Sequence, residues 1–74
     1  MNQKDLILTL YQEYGLPKYF ADKIIKTILT SISTELKKGN RVRLRNFGTF
    51  EMRKSHGKLR PKFNPSKNLF KIFT

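Results

Sequence analysis

Cysteine is absent from these 74 residues, so no disulfide or thiolate–metal site can hold the fold, and nothing points to an oxidising compartment. Tryptophan is absent too, His56 is the single histidine, and five carboxylates stand against sixteen Lys and Arg. The acids are scattered without a paired constellation, and the four glycines form neither a phosphate loop nor a dinucleotide pattern. These shortages argue against enzyme chemistry: no catalytic residue, metal or cofactor is expected. His56, set in a basic turn, reads as a turn residue rather than a base. No apolar run approaches the roughly 18 to 20 residues that span a bilayer, and the N-terminus has no apolar stretch of signal-peptide type. The expectation is a cytoplasmic protein with no membrane partner. So short a chain forms one domain at most, near the lower limit for an independent core, which favours stabilisation by oligomerisation.

What the sequence has in excess is positive charge, and it is segregated. The formal net charge is +11, yet residues 1–36 hold four lysines against four acids. Residues 37–74 hold twelve Lys and Arg against Glu51 alone. A half-chain of this kind calls for a polyanionic partner rather than a merely solubilised surface.

Residues 2–14 read as a helix: Asn2 can cap it, Asp5 sits in the first turn, and Leu6, Ile7, Leu10 and Tyr14 recur at helical spacing. Gly15 suits the position after its end, and Pro17 opens a second helix over about 17–38. Along that helix Ala21, Ile24, Ile25, Ile28, Leu29, Ile32 and Leu36 form a stripe too wide for one short partner. The excess implies a second subunit. Ile25, Ile28, Leu29, Ile32 and Leu36, together with Phe47, Phe50 and Phe63, are the candidate dimer-interface residues.

From Arg41 the period changes to two. Val42 and Leu44 lie on one face and Arg41, Arg43 and Arg45 on the other, predicting a strand over about 41–46. Asn46-Phe47-Gly48 supplies a tight connection, because Asn and Gly both tolerate positive φ. A second strand over about 49–54 and a third over about 59–63 follow, with His56-Gly57 as central turn residues. That turn sets the register Ser55/Lys58, Lys54/Leu59, Arg53/Arg60, Met52/Pro61, Glu51/Lys62 and Phe50/Phe63. It matches an apolar pair on one face and an ion pair, Glu51/Lys62, on the other, and Pro61 makes the third strand an edge. Asn64 as cap and Pro65 as first helical residue predict a last helix over about 65–73, with Leu69 and Phe73 one turn apart.

The outward sheet face then collects Arg41, Arg43, Arg45, Arg53, Arg60 and Lys62 around Glu51. Arg53 and Arg60 oppose each other directly, and an anion between them would relieve the repulsion. A phosphate backbone supplies anions at regular spacing. Phe47, Phe50 and Phe63 read as core rather than as base-stacking residues. Charge alone leaves RNA open as a ligand beside DNA.

The stretch ELKKGNRVRLRNFGTFEMR, Glu35 to Arg53, resembles the signature of the bacterial histone-like HU and integration host factor family. RPKFNPSKNLFKI, Arg60 to Ile72, is similar to the segment leading from that family's returning arm into its last helix. The resemblance covers nearly the whole chain. It implies an α+β fold with a two-helix base, a three-stranded antiparallel sheet, a short C-terminal helix and an intertwined homodimer that seats a basic sheet on duplex DNA. It also implies that Arg45 and Asn46 approach the DNA backbone, that Arg45 can enter the groove, and that Arg53 begins the arm. Ser66 and Lys67 match the start of the last helix. The DNA-binding set expected is therefore Arg41, Arg43, Arg45, Asn46, Arg53, Lys54, Lys58, Arg60, Lys62, Ser66 and Lys67.

One departure alters the expectation. In the family two long β-arms reach around the minor groove and wedge a tip proline between base steps. Here only nine residues, Met52 to Arg60, separate Glu51 from Pro61, and the Arg-Asn-Pro tip is missing. Four-residue limbs extend only about 13 Å at 3.3 Å per residue. The reading is a nucleoid-associated, sequence-tolerant binder of double-stranded DNA that bends it weakly or not at all. The alternative is an interaction protein that pairs with a long-armed relative and blunts its bending.

Overall fold

The computed structural model describes residues 1–72. Its elements run α1 (Gln3–Tyr14), α2 (Lys18–Lys37), β1 (Val42–Leu44), β2 (Gly48–Ser55), β3 (Lys58–Pro65) and α3 (Leu69–Ile72). The chain divides into two compact units, Met1–Ser31 and the residues from Ile32 onward, and α2 crosses the boundary.

In the first unit, α1 starts on a reciprocal cap. The Asn2 side chain accepts from the Asp5 amide (3.1 Å) while Asp5 accepts from the Asn2 amide (3.0 Å). It stops at Gly15, whose φ of 68° lets its N–H return to the Tyr11 carbonyl (2.9 Å). The Pro17 carbonyl takes the first bonds of α2, from Phe20 and Ala21. Gln3 Nε2 donates to Asp22 Oδ1 at 2.7 Å, tying the start of α1 to the first turns of α2. Ala21 and Ile25 are buried, whereas Ile28 and Leu29 are about half exposed.

In the second unit, α2 ends in a double bond pattern: Gly39 N–H meets the Leu36 carbonyl and Asn40 N–H the Glu35 carbonyl, both at 3.0 Å. The Asn40 side chain also donates to Glu35. The sheet is antiparallel in the order β1-β2-β3, so β1 and β3 are its edges. The β2/β3 register runs from Ser55/Lys58 through Phe50/Phe63 as the pattern predicts, and continues to Thr49/Asn64 and Gly48/Pro65. His56 (φ 51°) and Gly57 (φ 79°) both take positive φ, the geometry of a two-residue hairpin turn whose twist matches the strands. Phe47, Phe50 and Phe63 form a triangle with ring centroids 4.9 to 6.5 Å apart.

Three local expectations are corrected. Strand β1 is short because the Phe47 N–H turns back to the Leu44 carbonyl (3.0 Å), spending Arg45 and Asn46 on a turn in which Asn46 takes φ 63°. Gly48 is needed for closeness rather than for a left-handed φ: a Cβ there would sit 2.5 Å from the Phe63 ring and 2.6 Å from the Asn64 carbonyl. Asn64 and Pro65 do not open the last helix. They extend β3, held by pairing with Thr49 and Gly48 and by the Ser66 N–H to the Phe47 carbonyl (3.0 Å). Pro65 is tolerated there because β3 is an edge strand. The expected Leu69/Phe73 pair lies outside the described residues.

Candidate nucleic-acid interface

Side chains alternate along a strand and cross-strand partners share a face, so the register distributes the basic residues. Arg43, Thr49 and Asn64 make one row of the basic face, Glu51 and Lys62 the next with Arg41 ion-paired to Glu51, then Arg53 with Arg60, then Ser55 with Lys58. The opposite face carries Val42, Phe50 and Phe63, then Met52 with Pro61. Lys54, grouped by sequence with the DNA-binding residues, pairs with Leu59 and lies on that opposite face. Arg45 and Asn46 sit in the β1/β2 turn. With Arg43, Asn64, Ser66 and Asn68 they line an open concavity of about 640 Å³. Lys67 follows, exposed. A second hollow, at the hairpin, is lined by Arg53, Ser55, Arg60 and Lys62 among others.

Glu51 is the surprise of this face. Sequence reading places it outward, paired with Lys62. The structure buries it to 7% exposure and pairs it with two arginines instead. Oε2 lies 3.2 Å from Arg41 Nε and Oε1 lies 2.5 Å from Arg53 Nε. Arg53 is two residues along the same strand face and Arg41 comes from the β1 side, so both guanidinium groups close over one carboxylate. The hydrogen bond from Arg53 holds the Glu51 carboxyl below its ordinary value of 4.5; desolvation opposes this, and the Asn64 side chain and the charges of Arg53 and Arg41 reinforce it. Because the folded-state value is depressed, the stability Glu51 contributes is fully present above about pH 4.5 and is lost as pH falls through the lowered value. Thermal melts down an acid series should show that loss, and Glu51→Gln should make it shallower. An unchanged acid limb in the variant would exclude Glu51 as a source.

Thr49, Asn64 and Asn68 are the polar residues that sequence reading missed. The period-two pattern, continued one pair past Phe50/Phe63, would have placed Asn64 beside Thr49. Ser66, matched by the family resemblance to the start of the last helix, lies before α3. Its own amide is bonded to Phe47, and its Oγ accepts the Asn68 amide at 3.2 Å. The dimer candidates also separate. Ile25 is already buried within the chain, Ile32, Leu36 and Phe50 are intermediate, and Phe47 and Phe63 remain 39% and 37% exposed.

The profile of the family described as bacterial DNA-binding protein matches residues 1–65. The chain belongs to the HU and integration host factor family. It is 40% identical over 53 residues to the integration host factor α subunit of Nitrosococcus oceani, covering 72% of this chain and 54% of that protein. To DNA-binding protein HU of Geobacillus stearothermophilus it is likewise 40% identical over 53 residues, covering 72% and 59%. The match thus spans little more than half the length of these relatives. Among solved structures, an HU variant from Thermotoga maritima superposes with a TM-score of 0.86 at 38% identity, over 96% of each chain. An Anabaena HU–DNA cocrystal structure gives 0.79 at 21% identity, over 93% of this chain and 92% of that one, a likeness of fold alone. The α+β architecture is therefore that of HU: two helices, a three-stranded antiparallel sheet and a short last helix. The family is one of DNA-binding proteins, not of enzymes.

Proposed function

We propose that this family member is a histone-like, sequence-tolerant binder of double-stranded DNA that acts as a homodimer and bends DNA weakly or not at all. The observation that carries the reading is the register: it gathers Arg43, Arg53, Lys58, Arg60 and Lys62 on one sheet face, where Arg41 joins them through its ion pair with Glu51. Such a face neutralises phosphates without reading base edges. Membership of a DNA-binding family supports it, as does the +11 charge. Weak bending follows from reach. Beyond its pairing with β1, strand β2 continues only from Glu51 to Ser55 before the turn, on the order of 13 Å. Homodimerisation follows from what is left uncovered: among the described residues only Ala21 and Ile25 are buried as hydrophobic core, and a chain of this size needs further apolar contact. Among the described residues no helix is long and apolar enough to cross a membrane, and a nucleoid-associated, cytoplasmic setting fits a DNA ligand.

The test is binding to a random-sequence duplex across a salt series, with energy-transfer dyes on the DNA ends. Log K should fall linearly with log salt, by about 0.9 for each phosphate neutralised, while the end-to-end distance hardly changes. Salt-insensitive binding would remove the phosphate mechanism, and a sharp kink would remove the weak-bending clause alone. The same uncovered apolar residues fit a long-armed relative as partner. Co-expression with one distinguishes the two assemblies, and failure to recover mixed dimers ends the second.

A further inference from the structure

We infer that Glu51 is the resident anion of the basic face, so that a DNA phosphate gains Arg41 and Arg53 only by exchange with it. The inference rests on the DNA-binding reading above and divides the arginines of that face into two classes. Arg53 donates its Nε–H to Glu51 Oε1 at 2.5 Å, and Arg41 Nε forms an ion pair with Oε2 of the same carboxylate at 3.2 Å. Arg43 and Arg60 have no acidic partner among the described residues.

Ion pairs on a protein surface are ordinarily weak because water screens both partners. This one differs in its acid. The Glu51 side chain is 10% exposed while those of Arg41 and Arg53 are 77% and 57% exposed. The carboxylate is therefore screened little, while its two partners stay within reach of an incoming phosphate. Carboxylate and phosphate ask the same of a guanidinium, a charge-assisted pair of N–H donors, and so compete for it. With Glu51 in place, the face offers a phosphate full, uncompensated charge at Arg43, Arg60 and Lys62, and partly satisfied charge at Arg41 and Arg53. The carboxylate also offsets the mutual repulsion of Arg53 and Arg60, which stand directly opposite each other.

The experiment is a double-mutant comparison on the full chain, read by fluorescence anisotropy on a random-sequence duplex at several salt concentrations. For each arginine set free, Glu51→Gln should tighten binding about eightfold near 0.1 M salt and steepen the log–log salt slope by about 0.9, roughly sixtyfold in affinity for the two together. In the native chain Arg53→Ala should cost clearly less affinity than Arg60→Ala. In the Glu51→Gln background the two should cost the same. Unchanged or weaker binding by Glu51→Gln, confirmed folded by thermal melting, overturns the inference. If that variant does not fold, the native-background pair decides alone: equal losses for Arg53→Ala and Arg60→Ala overturn it. Failure of the DNA-binding reading looks different, since then neither Arg60→Ala nor salt would alter binding in any background.

Discussion

Reversing Arg43 and Arg45 to glutamate is expected to weaken binding to every duplex by about two orders of magnitude, without changing the ranking of one sequence against another. Each phosphate contact removed forfeits about 0.9 in the log–log salt slope, roughly eightfold in affinity near 0.1 M salt. Two contacts make that roughly sixtyfold, and placing negative charge where cations stood adds repulsion. The two side chains are suited to this test. Arg43 and Arg45 are exposed and flank the open concavity at the β1/β2 turn, and neither is engaged by Glu51. The double variant should therefore keep its fold, so that a loss of binding reports on the interface. Gel shifts on A·T-rich, mixed and G·C-rich duplexes at two salt concentrations check it. Undiminished affinity would take the turn end of the sheet out of the interface. A loss confined to one sequence would mean that these residues read bases rather than phosphates.

Gly48→Ala is expected to destabilise the protein by about 3 kcal/mol, at the upper end of the usual cost of overpacking. The added methyl would lie 2.5 Å from the Phe63 ring and 2.6 Å from the Asn64 carbonyl oxygen. A ring can swing aside, but the Asn64 carbonyl belongs to the backbone of β3, which the Gly48/Pro65 and Thr49/Asn64 pairs and the Ser66 amide bond hold in place. Relief would require separating β2 from β3 where they are anchored. For a domain of this size the melting temperature should fall by roughly 15 °C. A melting temperature within a few degrees of the native chain would mean that the strands part there at little cost.

These two positions differ in how far each was legible beforehand. Arg43 could be placed on the basic face from alternation alone, because a strand's side-chain period of two is a local property. The hairpin register was equally legible. His56-Gly57 leaves a single pairing that puts Phe50 opposite Phe63, and the structure pairs them so. Gly48 was read as a turn glycine, since nothing in its neighbours along the chain announces a phenylalanine fifteen residues later lying against its backbone. The end of β3 was misread for a related reason. Asn-Pro-Ser is good local chemistry for starting a helix, but the ladder to Gly48 and the bond to Phe47 hold Asn64 and Pro65 extended.

By itself the sequence determined the helix caps, the switch of period at Arg41, the two-residue turn and the concentration of charge in the second half, all of which depend on residues close together along the chain. Only the tertiary structure decided that the Glu51 carboxylate is buried and that Arg41 and Arg53 rather than Lys62 hold it. Ion-pair choice turns on differences of a few ångströms between side chains brought alongside by three strands. Those distances exist only once the sheet has formed.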